Sequence, residues 1–469
     1  LGSGDVGIIG LGTMGENLTL NLLEKGFRVS VYNRSPERTR RFVEVHGQAG
    51  RVVPTFSVKE LVSSLKPPRK VLVLVKAGQP VDDVIEQLSG LLEPGDVLAD
   101  LGNSHFRDTE RRLQRLSGSG VLYAGIGVSG GERGARYGAC FMAGGPAEAF
   151  EHLAPILRPA SADTGEGPAC AYLGPRGAGH YVKMVHNGIE YAMLEVIAEA
   201  YDILRRGFGI PSEEISATFR RWSRGDLSSF LMEAASQACL KRDPETGRPL
   251  VELIEDVAEQ KGTGRWCVQD ALELGVPTPT IDAAVSQRNL SSLRTLRGGV
   301  ARAIGLEAGR AGGGEPPLHQ LEQAVFCSFL TAFAQGFSQL QAASTAYGYN
   351  LDLAEVARVW GGGCIIRARM IEAIKKAYRS PARPEHLFLD PEIAAALRAR
   401  EGAWRETVAL AMSLRIPTPA ISTALAYYYS LGSERLPANL IQALRDLFGA
   451  HGFRRVDRAG QFHADWGWG

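Results

Sequence analysis

Five residues of types suited to proton transfer, Lys183, His186, Asn187, Glu190 and Tyr191, recur at i, i+3, i+4, i+7 and i+8. On an α-helix these positions share one face. Together they offer an amine, an imidazole, an amide, a carboxyl and a phenol. Between them the chain is small or apolar: Met184, Val185, Gly188, Ile189, Ala192, Met193 and Leu194. That wrapper predicts a helix buried on most sides, with one wet pocket along its polar face. The alternative is a solvated face on which Lys183 and Glu190 pair across two turns. Burial separates the two, because it drives a lysine towards its neutral, basic form and a glutamate towards its neutral, acidic form.

A helix of this kind needs a second reactant. The start of the chain supplies a place for one. Residues 6–9 read as a buried strand that runs into Gly10, Gly12, Thr13, Met14 and Gly15, then a helix over about 16–25, then a strand over 28–32. This order is that of a dinucleotide fold. Gly10 makes the tight turn, Gly12 lets the pyrophosphate approach, and Gly15 lets the helix pack closely. The free amides at the helix start then face the phosphates. The second strand ends in Asn33-Arg34-Ser35, where an NAD enzyme usually places an acid. Arg34 can pair with a 2′-phosphate, which points to NADP. Otherwise it is a surface arginine in a turn.

Strands over 70–75 and 96–100 continue the sheet. Each ends in a polar turn, with Lys76-Ala77-Gly78 after Val75 of the first and Leu101-Gly102-Asn103-Ser104 after the second. Ligands of such sheets gather at these strand ends, so the two turns are candidate cofactor neighbours or ordinary loops. Ser129-Gly130-Gly131 could present amides to an anion, or be a plain turn.

The net charge of +1, from 52 basic and 51 acidic residues, makes no electrostatic case for nucleic acid. No apolar run is long enough to cross a bilayer, and no basic-then-apolar leader precedes the first strand. The six cysteines are scattered without a C-x-x-C pair. They read as reduced thiols rather than a zinc site, in keeping with a cytoplasmic enzyme.

Beyond residue 177 the pattern is helical and repeats. Trp222 and Trp360 each close an amphipathic run, and Val276-Pro277-Thr278-Pro279 is echoed by Ile416-Pro417-Thr418-Pro419, at offsets of 138 and 140 residues. Ordered self-similarity of this kind implies a duplicated helical unit. The glycine-rich stretch near 298–317 between the copies reads as a mobile loop or surface excursion. The fold expected is an α/β Rossmann-type dinucleotide-binding domain over 1–176, then an all-helical domain over 177–432. A tail over 433–469, with Trp466 and Trp468, has too little apolar sequence for a core of its own and must dock elsewhere.

The motifs GLGTMG (10–15), NRS (33–35), SGGE (129–132), KMVHNGIEY (183–191), KGTG (261–264) and FGAHGF (448–453) together resemble the 6-phosphogluconate dehydrogenase family. The resemblance covers essentially the whole chain. It implies oxidative decarboxylation of 6-phosphogluconate to ribulose 5-phosphate with NADP, without a metal, in the pentose phosphate pathway. It further implies Lys183 as base and Glu190 as acid. Asn103, Ser129, Gly130, Gly131, His186 and Asn187 would hold the carboxylate and hydroxyls. Tyr191, Lys261, Thr263 and Arg288 would hold the phosphate. Arg445 and His451 would complete the site of a second subunit in a homodimer. The chain departs from the family pattern at Arg133, at Ala139 and Ala143, and across 326–329. Two other readings share the glycine loop: a shorter 3-hydroxy acid dehydrogenase, and a non-catalytic NADPH sensor. The length of the chain argues against the first, and intact Lys183 and Glu190 argue against the second.

Overall fold

The computed structural model describes residues 3–47, 50–306, 309–311 and 314–467. The chain opens with an eight-stranded sheet: β1 (Val6–Ile9), β2 (Val29–Tyr32), β3 (Val52–Pro54), β4 (Lys70–Val73), β5 (Val97–Asp100), β6 (Leu122–Ser129), β7 (Cys140–Gly144) and β8 (Cys170–Gly174). The strand order is β3-β2-β1-β4-β5-β6-β7-β8. Every neighbouring pair is parallel except β6 with β7. Apolar residues such as Val6, Ile8, Val29, Val31, Val71 and Leu72 are wholly buried, as strands covered on both faces require. The crossovers carry α1 (Thr13–Glu24), α2 (Pro36–His46), α3 (Val58–Ser63), α4 (Gln79–Leu88), α5 (Phe106–Leu116), α6 (Gly131–Tyr137) and α7 (Ala147–Ala160). Order reverses between β1 and β4, which leaves the crevice of a doubly wound sheet above the glycine loop.

The rest is helical and doubled. The first copy comprises α8 (Ala178–Asp202), α9 (Ser212–Trp222), α10 (Phe230–Leu240), α11 (Thr263–Glu273), α12 (Pro279–Ser292) and α13 (Arg294–Ile304). The second comprises α14 (Leu318–Tyr347), α15 (Leu353–Trp360), α16 (Ile371–Arg379), α17 (Pro391–Ser413), α18 (Pro419–Leu431) and α19 (Ala438–Gly449). The copies lock each other at helix starts. Glu199 of α8 accepts from the Ala420 and Ile421 amides of α18, at 2.6 and 2.8 Å. Gln335 of α14 accepts from the Thr280 amide of α12 at 3.1 Å. Each long helix thus caps a helix of the other copy, satisfying amides that would otherwise be buried unpaired.

The glycine-rich stretch departs from expectation. Gly298 and Gly299 lie inside α13, not in a loop. Farther on, the Gly309 amide bonds the Leu414 carbonyl at 2.8 Å and the Ala311 amide bonds the Gly207 carbonyl at 2.9 Å. These contacts hold Gly309 and Ala311, while α13 has no buried residue, in keeping with a surface excursion. Residues 307, 308, 312 and 313 of that stretch, and Trp468 of the tail, lie outside the described residues. The tail forms a helix, α19, and a small braced turn. Asp446 accepts from the Gly452 amide at 2.8 Å, the Ala464 amide at 3.0 Å and the Trp466 indole at 2.8 Å.

Candidate active site

The predicted polar stripe lies on α8, and the helix is buried as its apolar wrapper requires. Lys183 is 6% exposed, His186 0% and Asn187 8%, and Glu190 is largely buried, with 23% of its side chain exposed. Close approach explains the burial. A Cβ on Gly127 of β6 would lie 2.3 Å from Lys183 Cβ, and one on Gly179 of α8 would lie 2.4 Å from the Gly125 and Met142 carbonyl oxygens. Helix and sheet touch backbone to backbone, which only glycine permits.

His186 is the hub. Its Nε2 is 3.0 Å from Ser129 Oγ, and its Nδ1 is 3.2 Å from Asn187 Oδ1, 3.4 Å from Lys183 Nζ and 3.7 Å from Glu190 Oε2. Ser129 Oγ also accepts from the Ile365 amide at 3.3 Å. The partners fix the tautomer. Nδ1–H donates to the Asn187 oxygen, and Nε2 accepts from the Ser129 hydroxyl. Asn187 Nδ2 in turn donates to Thr263 Oγ1 at 3.0 Å, tying α8 to the start of α11.

The electrostatics favour acid–base work. Burial holds Lys183 below its ordinary pKa, with the Glu190 charge opposing. Burial raises Glu190, against the pull of Lys183 and Arg288. Burial and the neighbouring Lys183 push His186 well below its usual value. A lysine shifted towards its neutral form and a glutamate shifted towards its protonated form, on one helix face, suit a base and an acid for one substrate. The alternative of a solvated Lys–Glu face is thereby set aside.

One end of the cluster is cationic. The Arg288 guanidinium lies 3.5 Å over the Tyr191 ring and donates to the Glu259 carbonyl at 3.2 Å. Thr263 is the first residue of α11, behind Gly262 at φ 95°, and Lys261 beside it is exposed. Gly264 is pressed on Tyr191, where a Cβ would meet the ring at 2.6 Å. A guanidinium, a lysine, a hydroxyl and a helix start form an anion-binding set.

Next to it runs a cavity of about 860 Å³ between the two domains. Met14, Val75, Lys76, Ala77 and Asn103 line its sheet side, and Lys261 and Gly262 line its helical side. The glycine loop fits a dinucleotide. A Cβ on Gly15 would strike the Gly10 oxygen at 1.9 Å, and one on Gly10 the Leu74 oxygen at 2.5 Å. A Cβ on Gly12 would meet nothing within 4 Å, so the loop is closed below and open above, as backbone approach to a pyrophosphate needs. Asn33 shapes that loop, its Oδ1 accepting from the Leu11 amide at 3.0 Å. Arg34 and Ser35 are exposed at the end of β2.

Arg445 and His451 are not brought to this cluster. Both are exposed, and Arg445 bonds Gln442 in its own helix at 3.1 Å. Sequence reasoning missed the Ile365 amide, which has no side-chain signature, and His105 and Trp266. These two rings meet at 5.0 Å and face the cavity from opposite domains. An aromatic two residues after the KGTG glycine was the only available signal for Trp266.

Comparison with known proteins bears on the same residues. A family model described as the NAD binding domain of 6-phosphogluconate dehydrogenase matches residues 5–174, and one described as the 6-phosphogluconate dehydrogenase C-terminal domain matches 179–466. The decarboxylating 6-phosphogluconate dehydrogenase of Synechococcus elongatus is 47% identical over 98% of both chains. The NADP(+)-dependent, decarboxylating enzyme of Bacillus subtilis is 44% identical, again over 98% of each. The Plasmodium falciparum 6-phosphogluconate dehydrogenase, solved in its apo form and in complex with its cofactor NADP+ and its substrate 6-phosphogluconate, superposes with a TM-score of 0.94. It is 39% identical and covers 98% of this chain and 100% of its own.

Proposed function

The chain belongs to the 6-phosphogluconate dehydrogenase family, and from that premise we propose that it oxidatively decarboxylates 6-phosphogluconate to ribulose 5-phosphate and carbon dioxide with NADP. NADP, when bound, supplies the hydride acceptor for carbon 3; Gly10 to Gly15, Asn33 to Ser35, Val75 to Ala77 and Asn103 would hold it. Lys183, made a readier base by the burial that lowers its pKa, accepts the 3-hydroxyl proton as that carbon is oxidised. The ammonium so formed returns the proton to the 3-keto oxygen while carbon dioxide leaves from carbon 1. Glu190, made a readier proton donor by the burial that raises its pKa, gives its proton to the former carbon 2 of the enediol, which becomes carbon 1 of the product. Ser129, Gly130, Gly131, His186 and Asn187 hold the carboxylate and hydroxyls. Tyr191, Lys261, Thr263 and Arg288 hold the phosphate.

The observation that carries this reading is the buried Lys183–His186–Glu190 face, with base and acid shifted in the directions the two proton transfers require. The test is stoichiometric. Incubated with 6-phosphogluconate and NADP, the protein should release one carbon dioxide per NADPH. NADPH without carbon dioxide, or turnover of 3-hydroxyisobutyrate in its place, refutes it.

The working unit is a homodimer in which each tail serves the other subunit's site. Leu440, Ile441, Leu444 and Phe448 of α19 are exposed, as are Leu293, Leu296, Val300 and Ile304 around α13. Apolar stripes this long call for a partner surface, and a tail that leaves its own site would carry Arg445 and His451 across a two-fold axis. No described helix is long and apolar enough to cross a membrane, and the enzyme is assigned to the cytoplasm.

A further inference from the structure

The two turns on the sheet side of the cavity follow neighbouring strands. β4 and β5 are paired as far as Val73 and Asp100, and the Leu101 amide makes a last rung to the Val73 carbonyl at 2.9 Å. Beyond it, among the described residues, no backbone hydrogen bond joins the turn at 76–78 to the turn at 102–104. Turns that share no ladder open locally unless something else ties them.

Arg112 of α5 supplies the tie. Its side chain is wholly buried. Nε and Nη2 donate to the Asp82 carboxylate of α4 at 3.0 and 2.9 Å. Nη2 also donates to the Gly78 carbonyl at 3.0 Å, and Nη1 donates to Ser104 Oγ at 3.3 Å and to Asp100 at 3.5 Å. Every N–H of the guanidinium is thus used, and one rigid plane holds the end of the first turn and the end of the second. Asp100 stiffens the second turn from within, accepting from the Gly102 amide at 2.9 Å and the Ser104 hydroxyl at 2.6 Å. Arg111, its neighbour on α5, also bonds Asp82, at 3.0 Å, but bonds neither turn. Two guanidiniums therefore face two carboxylates, and the buried charges are paired. A lysine at 112 would have a point charge on a flexible stem, able to stay with the acids but not to hold both turns.

Strand order says which part of a dinucleotide these turns meet. The end of β2 reads the adenosine ribose, and the helix after β1 takes the pyrophosphate. β4 and β5 lie on the far side of β1 from β2, towards β6, whose Gly127 is pressed on Lys183. The nicotinamide half falls to them. We propose that Arg112 is a positioning residue that fixes the width of the cofactor slot, holding the turns of Lys76 and Asn103 at the separation the nicotinamide half requires. The proposal rests on the function above and goes beyond it.

The test is binding, read by calorimetry on the wild type, Arg112→Lys, Ser104→Ala and Arg111→Lys. The ligands are NADP, NAD and adenosine 2′,5′-bisphosphate, which carries the adenosine half alone. Release of carbon dioxide and NADPH by the wild type is measured apart; a protein that binds NADP without decarboxylating ends the function and leaves this test standing. Arg112→Lys should weaken NADP and NAD by one common factor of about tenfold, as expected when the turns keep the right separation about a tenth of the time. The adenosine bisphosphate should stay within about twofold. Ser104→Ala, which frees one turn only, should weaken both dinucleotides by a smaller factor, and Arg111→Lys should change none of the three. By hydrogen–deuterium exchange, segments 76–79 and 101–105 should lose protection in Arg112→Lys while 6–15 keeps its own. Three results overturn the proposal: dinucleotide affinity unchanged in Arg112→Lys, an equal loss for the bisphosphate, which would mean a damaged sheet, or an equal loss in Arg111→Lys, which would mean that charge on Asp82 is all that counts. Should Arg112→Lys not fold, Ser104→Ala decides: weaker dinucleotides with the bisphosphate unmoved support the tie, and no change overturns it.

Discussion

Gly127→Ala adds a single methyl group to a buried strand, and the effect on rate can be worked from the geometry. The new Cβ would lie 2.3 Å from Lys183 Cβ, 3.0 Å from its Cγ and 2.9 Å from the Gly179 oxygen. Ordinary contact between such atoms begins near 3.4 Å, so strand and helix must part by about 1 Å in an interior with no slack. Lys183 Cβ is fixed to the helix backbone, and that backbone is itself pinned where Gly179 meets the Gly125 and Met142 carbonyls. The strain therefore moves the base. A displacement of about 1 Å costs on the order of 100-fold in rate, or about 2.7 kcal/mol, while overpacking costs about 1–3 kcal/mol of stability. The assay is NADPH formation at saturating substrate, beside NADP affinity and Tm. Gly402→Ala is the control, since its Cβ meets nothing within 4 Å and sits within α17. It should leave kcat alone and add up to about 1 kcal/mol of stability. If Gly127→Ala keeps kcat within about threefold of wild type, close approach does not set the lysine. A loss of NADP affinity as large as the loss of rate would show instead that the sheet has been damaged.

Lys183→Met should abolish turnover yet leave Tm at pH 7 unchanged or higher. The folded pKa lies below the unfolded one, so the native site opposes folding at any pH below about 10.5; a large fall in Tm would mean that Lys183 is a structural cation. Arg34→Ala should weaken NADP by about 1.5–3 kcal/mol and NAD hardly at all, read as the ratio of the two dissociation constants; equal losses would remove Arg34 from the 2′-phosphate. Lys183→Ala and Arg445→Ala chains, each crippled alone, should regain activity when subunits exchange, because one site of each mixed dimer then holds an intact Lys183 and the partner's intact Arg445. Mixed dimers no better than their parents would return the tail to its own subunit.

The catalytic helix was legible because its polar residues keep a helical period inside an apolar run, and both facts survive burial. The glycine loop was legible because its three glycines answer to three different close approaches, two of them confirmed at Gly10 and Gly15. β6 was not legible as a strand, since Gly125 and Gly127 lower strand propensity. They are there for α8, a requirement that comes from the other domain. The same holds for the Ile365 amide, whose contact with Ser129 spans 236 residues. What one segment asks of itself can be read locally; what it owes a distant segment cannot.

The duplication explains why the site is built from such distant pieces. α8 and α14 begin 140 residues apart, at Ala178 and Leu318. Where α8 has His186, Asn187, Glu190 and Tyr191, the same offset in α14 finds Phe326, Cys327, Leu330 and Thr331. The polar residues that α14 does bury, Ser328, Thr331, Gln335 and Gln339, are taken up in structural hydrogen bonds. The proposed chemistry lies on α8, while α14 packs Phe329, Phe333 and Phe337 wholly buried. The caps at Glu199 and Gln335 bind the copies so that the apolar one holds the polar one still. The terminal helices obey the same logic. α13 and α19 close the two copies in turn, and both leave apolar side chains in the open. A helix that closes a repeat without covering itself calls for a partner surface, and Arg445 and His451, proposed above to complete a second subunit's site, stand at the end of one of them.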